Sequence, residues 1–179
     1  MFRLIWRLAS IAFVFGVGYL FGVLGVRFYR IGSDSMEPTL VRDDCAIAVK
    51  PGKLCRGDIV ALKDPKGSRE ILVKRVIGLP GDRIKMARGV LCVNGKRIAE
   101  PYIREPAAYD IEWEIPEDKC VLLGDNRNES EDSSIWGPVS LSLVSGRVVL
   151  RYWPWRRFTV FFRGRSLLSL PERIENPEQ

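Results

Sequence analysis

One serine and one lysine stand out as a pair able to do chemistry. Ser35 lies in Ile-Gly-Ser-Asp-Ser-Met-Glu-Pro-Thr-Leu, residues 31–40, among turn formers and just after a long apolar run. The chain contains no histidine, which excludes a Ser-His-Asp triad. A serine hydroxyl can instead lose its proton to a lysine held neutral in a dry environment. Lys74 fits that need as the only lysine inside a strongly apolar, strand-like run, Ile-Leu-Val-Lys-Arg-Val-Ile-Gly. An exposed lysine, with a pKa near ~10.4, is almost wholly protonated at neutral pH. Burial against apolar neighbours disfavours the ammonium form and lowers that value.

The elements that must position this pair are an apolar N-terminal run and a strand-rich body. Leu8 to Val26 is 19 residues without a charge, bracketed by Arg7 and Arg27. That length predicts one transmembrane helix. A core helix would be apolar on one face only, whereas this run is apolar all round. No small-x-small cleavage site follows it, so an uncleaved anchor is expected. Arg3 and Arg7 on one side nearly balance Arg27 and Arg30 on the other, so charge alone does not orient it.

Beyond the anchor, residues 28–31 read as a short extended segment. Strands are predicted over 45–49, 57–62, 70–77 and 120–123, and again over 147–153 and 158–162. Residues 83–86 and 90–93 form a predicted hairpin, and Asn94-Gly95 is a type I′ turn signal. Glu100 to Pro116 is polar and punctuated by proline, an expected excursion. The body is therefore mostly β. The expected organisation is an N-terminal region over 1–27 with its span at 8–26, a β-rich catalytic domain over 28–170, and a loose tail over 171–179.

The chain has 179 residues and a net charge of +6. No acidic residue occurs from Ser133 to Pro171, a stretch that holds Arg147, Arg151, Arg156, Arg157, Arg163 and Arg165. Without those six, 22 basic residues face 22 acidic ones. The same stretch carries Tyr152, Trp153, Trp155, Phe158, Phe161 and Phe162. Basic residues interleaved with aromatics could bind nucleic acid. Beside a membrane anchor, docking on anionic headgroups is the better reading. Cys45, Cys55, Cys92 and Cys120 form no CxxC, and without histidine no metal site or cofactor is expected. They read as strand thiols, with one disulfide open in an oxidising compartment.

Four blocks in order resemble the type I signal peptidases, membrane-anchored Ser-Lys proteases of family S26. They are Ser33-Asp34-Ser35-Met36-x-Pro-Thr-Leu; Arg56-Gly57-Asp58-Ile59-Val60; Lys74-Arg75-Val76-Ile77-Gly78-Leu79-Pro80-Gly81-Asp82; and Gly124-Asp125-Asn126-Arg127-Asn128-x-Ser130-x-Asp132-Ser133-x-x-Trp136-Gly137. Smaller echoes are Val93-Asn94-Gly95, Glu100-Pro101-Tyr102 and Arg151-Tyr152-Trp153-Pro154. The likeness runs from the anchor to about Trp155. It implies a membrane-anchored β fold of coiled antiparallel sheets, Ser35 as nucleophile and Lys74 as general base. Ser33 would assist the oxyanion hole and Ser130 would orient the lysine. Arg75 and Asp125 would pair behind the site, and Asp132 would close the loop that supports the lysine. The implied substrate is a preprotein's signal peptide, bound as an extended strand and cut after Ala-x-Ala. Ile31, Met36, Leu72 and Val73 are the candidates for its shallow pockets. The implied setting is the inner membrane, single-pass, with the catalytic domain on the extracytoplasmic face, as a monomer.

The sequence departs from the family at two points. Ser134 stands where the family carries an arginine that pairs with Asp132, so a less stable supporting loop is expected. Asp34 stands where many members carry glycine, and its charge must face solvent. Two other readings compete. One is a Ser-Lys maturation peptidase of the same fold with a dedicated substrate, of mitochondrial inner-membrane or conjugation type. The other is a catalytically silent, membrane-tethered module that binds exported chains.

Overall fold

Short runs of β-branched and apolar residues, each ended by glycine or proline, fold into two antiparallel sheets. The computed structural model describes residues 2–162 and 168–169; the side chains of residues 2–5, 8, 9, 12, 13, 17, 20, 24, 168 and 169 lie outside the described set. A helix, α1, covers Phe2–Leu24. The strands are β1 (Arg27–Arg30), β2 (Cys45–Val49), β3 (Ile59–Lys63), β4 (Ile71–Gly78), β5 (Arg83–Ala87), β6 (Val90–Val93) and β7 (Lys96–Ala99). They continue with β8 (Ile111–Glu114), β9 (Lys119–Leu123), β10 (Val139–Ser140), β11 (Val144–Trp153), β12 (Thr159–Val160) and β13 (Leu168–Ser169). A short α-helical turn, α2, spans Ser133–Trp136.

The larger sheet runs β1-β2-β11-β3-β4-β9-β10, with β12 paired to β11. The smaller runs β13-β7-β6-β5-β8. Register shifts in β11, at Val144/Gly146, Val148/Leu150 and Arg151/Trp153, and in β4 at Val76/Gly78, are bulges that curl the larger sheet. At Gly78 the chain passes from one sheet towards the other. A Cβ there would stand 2.3 Å from Ile115 Cδ1 and 2.9 Å from Ile84. Ile77 of β4 packs with Ile84, Met86, Leu91 and Ile115 in a core shared by both sheets, and Val60, Leu62, Val76 and Leu122 fill one face of the larger. A third cluster, Ile31, Met36, Leu40, Ala46, Ala48, Ile59 and Val148, lies under the Ser35 turn.

Several expectations need correcting. The 100–116 excursion contains β8, which pairs with β5 from Arg83↔Glu114 to Met86↔Ile111. Its Ile-Glu-Trp-Glu alternation is the strand signal beneath the polar composition. The β5–β6 hairpin forms as expected, turning at Arg88-Gly89, and Asn94 and Gly95, both at positive φ, make the expected turn, from β6 into β7. The 158–162 strand shrinks to Thr159–Val160. All four cysteines are free, in keeping with their reading as thiols, but Cys55 lies outside the strands. The helix expected over 8–26 coincides with α1, yet among the described residues no helix is long and apolar enough to cross a membrane. Much of the apolar run has its side chains outside the described set. The tail over 171–179, and Arg163 and Arg165, also lie outside the described residues.

Two of the C-terminal arginines are structural, a further correction. Arg151 is buried, and its Nη1 lies 3.4 Å from Asp44 Oδ2. Arg157 Nη1 donates to Asp44 Oδ1 at 3.1 Å. Both also hold the turn after Ser35, Arg151 through the Thr39 carbonyl at 2.5 Å and Arg157 through the Pro38 carbonyl at 3.0 Å. A buried carboxylate fixed this way is costly to remove, because the arginine behind it stays buried. Asp44→Ala is therefore expected to lower stability by about 3–5 kcal/mol, as read by urea unfolding; a loss under 1 kcal/mol would place both arginines in solvent instead.

Candidate active site

Three segments bring their polar side chains together over β4 of the larger sheet. The turn over 33–40 follows β1, Lys74 stands in the middle of β4, and the 124–134 loop follows β9. Antiparallel pairing of β4 with β3 on one side and β9 on the other surrounds Lys74 with apolar backbone neighbours. Its side chain keeps only 3% of its exposure. Nζ donates to Ser35 Oγ at 2.8 Å and to Ser130 Oγ at 3.0 Å. Ser33 Oγ lies 3.2 Å from Ser35 Oγ.

Burial pushes the Lys74 amine down to about 8. The carboxylates of Asp132, Glu131 and Asp125 pull the other way. None of them bonds Nζ, because each is engaged elsewhere. Asp125 accepts from Arg75 Nε at 2.7 Å and Nη2 at 2.6 Å in a pair shut off from solvent. Glu131 pairs with Lys66 and accepts from Trp136 Nε1 at 3.4 Å.

Asp132, fully buried, accepts from the Gly124 N–H at 2.7 Å and the Ser134 N–H at 2.9 Å. The second bond caps α2. The loop expected to suffer from Ser134 is thus closed by backbone donors, without an arginine. Asp34 is partly exposed and pairs with Arg42 at 3.2 Å, as its charge requires.

The 100–116 excursion braces this loop through contacts that its composition does not reveal. Arg127 Nη1 donates to Glu100 Oε2 at 2.9 Å, and the two form a buried ion pair. The Arg75 guanidinium sits over the Tyr102 ring at 4.0 Å, and Tyr102 donates to Glu100 at 2.8 Å. Asn128 takes the Ala108 N–H at 2.8 Å and reaches the Pro106 carbonyl at 3.1 Å. The Glu100-Pro101-Tyr102 run was the signal for this brace.

Ile31, Met36, Leu72 and Val73 all line one groove of about 330 Å³ beside Ser35 and Lys74. It lies between the end of β1 and the exposed start of β4. A second cavity of about 340 Å³ also opens on Ser35 and Lys74, among Asp34, Asp64, Lys66, Glu70, Glu129 and Glu131. Among the described residues no cluster of histidine, cysteine or carboxylates could hold a metal.

A serine hydroxyl thus meets a buried, weakly basic amine over an interior strand of a curled antiparallel sheet. The family described as "Signal peptidase, peptidase S26" matches residues 4–153. The chain belongs to that family, and it is a serine endopeptidase of the signal peptidase I type, a hydrolase. It is 42% identical over 135 residues to a probable signal peptidase I-2 of Synechocystis sp., covering 69% of this chain and 62%, less than two thirds, of that one. It is 39% identical to a signal peptidase I of Leptolyngbya laminosa, over 75% of this chain and 74% of that one. It is 34% identical to signal peptidase IB of Staphylococcus aureus, over 88% and 93%. The crystal structure of a signal peptidase I from Enterococcus faecalis superposes with a TM-score of 0.50 at 30% identity, covering 54% of this chain and 97% of that one.

Gly124 marks where two of the three segments touch. A Cβ there would stand 2.2 Å from Ser130 Oγ and 2.4 Å from the Ser35 carbonyl. Gly124→Ala is expected to cost about 1–3 kcal/mol through overpacking and to part Ser130 from Lys74. Urea unfolding and the Lys74 titration read the two effects; an unchanged value in both would mean that the loop yields freely.

Proposed function

We propose that this protein removes N-terminal signal peptides from exported preproteins, with Ser35 as nucleophile and Lys74 as general base. The observation that carries the reading is the 2.8 Å bond between the Ser35 hydroxyl and a lysine whose amine is buried and lowered to about 8. A neutral Nζ accepts the hydroxyl proton as Oγ attacks the scissile carbonyl. The resulting ammonium then gives that proton to the leaving amine. In the second half, the neutral amine takes a proton from water as the water oxygen attacks the acyl carbonyl; the C–Oγ bond then breaks, the acid product leaves, and Nζ returns the proton to Ser35 Oγ.

The Ser35 N–H and the Ser33 hydroxyl stabilise the oxyanion, each such donor being worth about 3 kcal/mol at the transition state. Ser130 Oγ, 3.0 Å from Nζ, turns the amine towards Ser35. Arg75, Asp125 and Asp132 hold the two neighbouring segments still. The substrate lies extended in the groove of Ile31, Met36, Leu72 and Val73, whose shallow apolar floor favours small residues of the Ala-x-Ala kind.

In this reading residues 1–27 carry the anchor, spanning the inner membrane once at about 8–26. Ile11, Val14, Phe15, Tyr19, Phe21 and Val23 of α1 are exposed apolar side chains, which supports a lipid partner. The catalytic domain over 28–170 works as a monomer on the extracytoplasmic face. Trp153, Trp155, Phe158 and Phe162 are exposed and suit the interface. A silent binding module has no use for a lysine lowered in pKa beside a serine. A dedicated-substrate peptidase of the same fold differs only in what fills the groove.

Purified protein and its Ser35→Ala variant, mixed with a secretory precursor whose signal ends Ala-x-Ala, are expected to differ completely. The wild type should give one new N-terminus, directly after that alanine, and the variant none; uncut precursor with both would refute the substrate class. The base must be neutral, so the rate is expected to rise with pH through about 8, where Lys74 loses its proton. A flat profile from acid to alkaline pH would contradict a lysine base. Lys74→Ala, which leaves no buried charge unpaired, should fold and be inactive, and turnover near wild type would refute its role.

A further inference from the structure

Thr39 is where the three segments of the site meet, and none of the roles proposed above uses it. It lies four residues beyond Ser35 on the same turn. Its Oγ1 donates to Asp125 Oδ2 at 2.5 Å and accepts from Arg75 Nη2 at 3.3 Å. Its carbonyl accepts from Arg151 Nη1 at 2.5 Å. Arg75 follows Lys74 along β4. Asp125 precedes Asn126, whose N–H donates to the Ser35 carbonyl at 3.1 Å. The ring thus closes from the serine turn through Thr39 to the lysine strand, and through Asp125 and Asn126 back to Ser35.

The threonine is not needed for charge balance. Arg75 already makes two short bonds to Asp125 and a third to the Gly57 carbonyl at 3.0 Å. What the Thr39 hydroxyl adds is a tether between the serine turn and that pair. Ser35 and Lys74 come from segments 39 residues apart, and neither helix nor sheet pairing joins the turn to β4. We propose that Thr39 is a positioning residue for the Ser35–Lys74 pair, its hydroxyl fixing the turn at the distance and angle proton transfer needs. This rests on the reading of that pair as the catalytic dyad.

The test compares Thr39→Val, which keeps the shape and loses the hydroxyl, with Thr39→Ser, which keeps the hydroxyl. Wild type and Ser35→Ala run alongside. Two substrates are used: the Ala-x-Ala precursor and an N-acyl-alanine p-nitrophenyl ester, which needs the dyad but no signal peptide. Displacing reacting groups by about 1 Å can cost on the order of 10²-fold. Thr39→Val is expected to lose kcat on that scale with KM little changed, and Thr39→Ser to recover most of it. A Thr39→Val kcat near wild type, a loss expressed in KM, or an equal loss in Thr39→Ser would overturn the inference. Ester hydrolysis without precursor cleavage would refute the substrate class while the ester still decides the role of Thr39. A wild type no faster than Ser35→Ala on either substrate would refute the dyad, and this inference with it.

Discussion

The site depends on removing one amine from water without giving it a carboxylate. A buried lysine beside a free carboxylate would keep its proton. Here Lys74 is surrounded by sheet and, among the described residues, is bonded to the hydroxyls of Ser35 and Ser130. The three nearest carboxylates are each occupied: Asp125 by Arg75 and Thr39, Asp132 by two backbone N–H groups, and Glu131 by Lys66 and Trp136. Desolvation therefore outweighs their pull, and the amine falls to about 8 rather than rising.

The rest of the fold serves that condition. The curl of the larger sheet leaves the start of β4 open beside the end of β1, and the groove forms in that gap. The connection between β7 and β8 braces the 124–134 loop and Arg75 through Glu100, Tyr102 and Pro106. From the other side Arg151 and Arg157 grip the turn that carries Ser35, with Asp44 as their shared counter-charge. A charge excess that looks from composition like a membrane or nucleic-acid surface is spent partly inside the protein.

Much of this was legible in the sequence because it is local. Alternation gave β2, turn residues bounded β3 and β4, and the apolar run around Lys74 marked it as a lysine under pressure. The absence of histidine sent the search to it. The ordered blocks brought Ser33, Ser130, Arg75, Asp125 and Asp132 to the same place, and the structure brings all five there. What was not legible depends on contacts between distant segments. Strand β8 hid in a polar excursion, because its inward Ile111 and Trp113 alternate with glutamates. The partner of Arg151 lies 107 residues away, and no pattern in composition points to Asp44. The arginine missing at Ser134 is visible in sequence, while the Gly124 N–H that Asp132 accepts is not.

The central claim is that Lys74 is a weak base inside the folded protein, and a direct titration tests it. With lysine side chains labelled at Cε and Nζ, NMR follows each resonance from neutral to strongly alkaline pH, and the Lys74→Ala variant identifies the signal of Lys74. The account predicts a midpoint at about 8, separate from the other lysines. A midpoint near the ordinary value of ~10.4 would leave on the order of a hundredfold less neutral amine near neutral pH than a value of about 8 does, and a Ser35–Lys74 dyad would be contradicted.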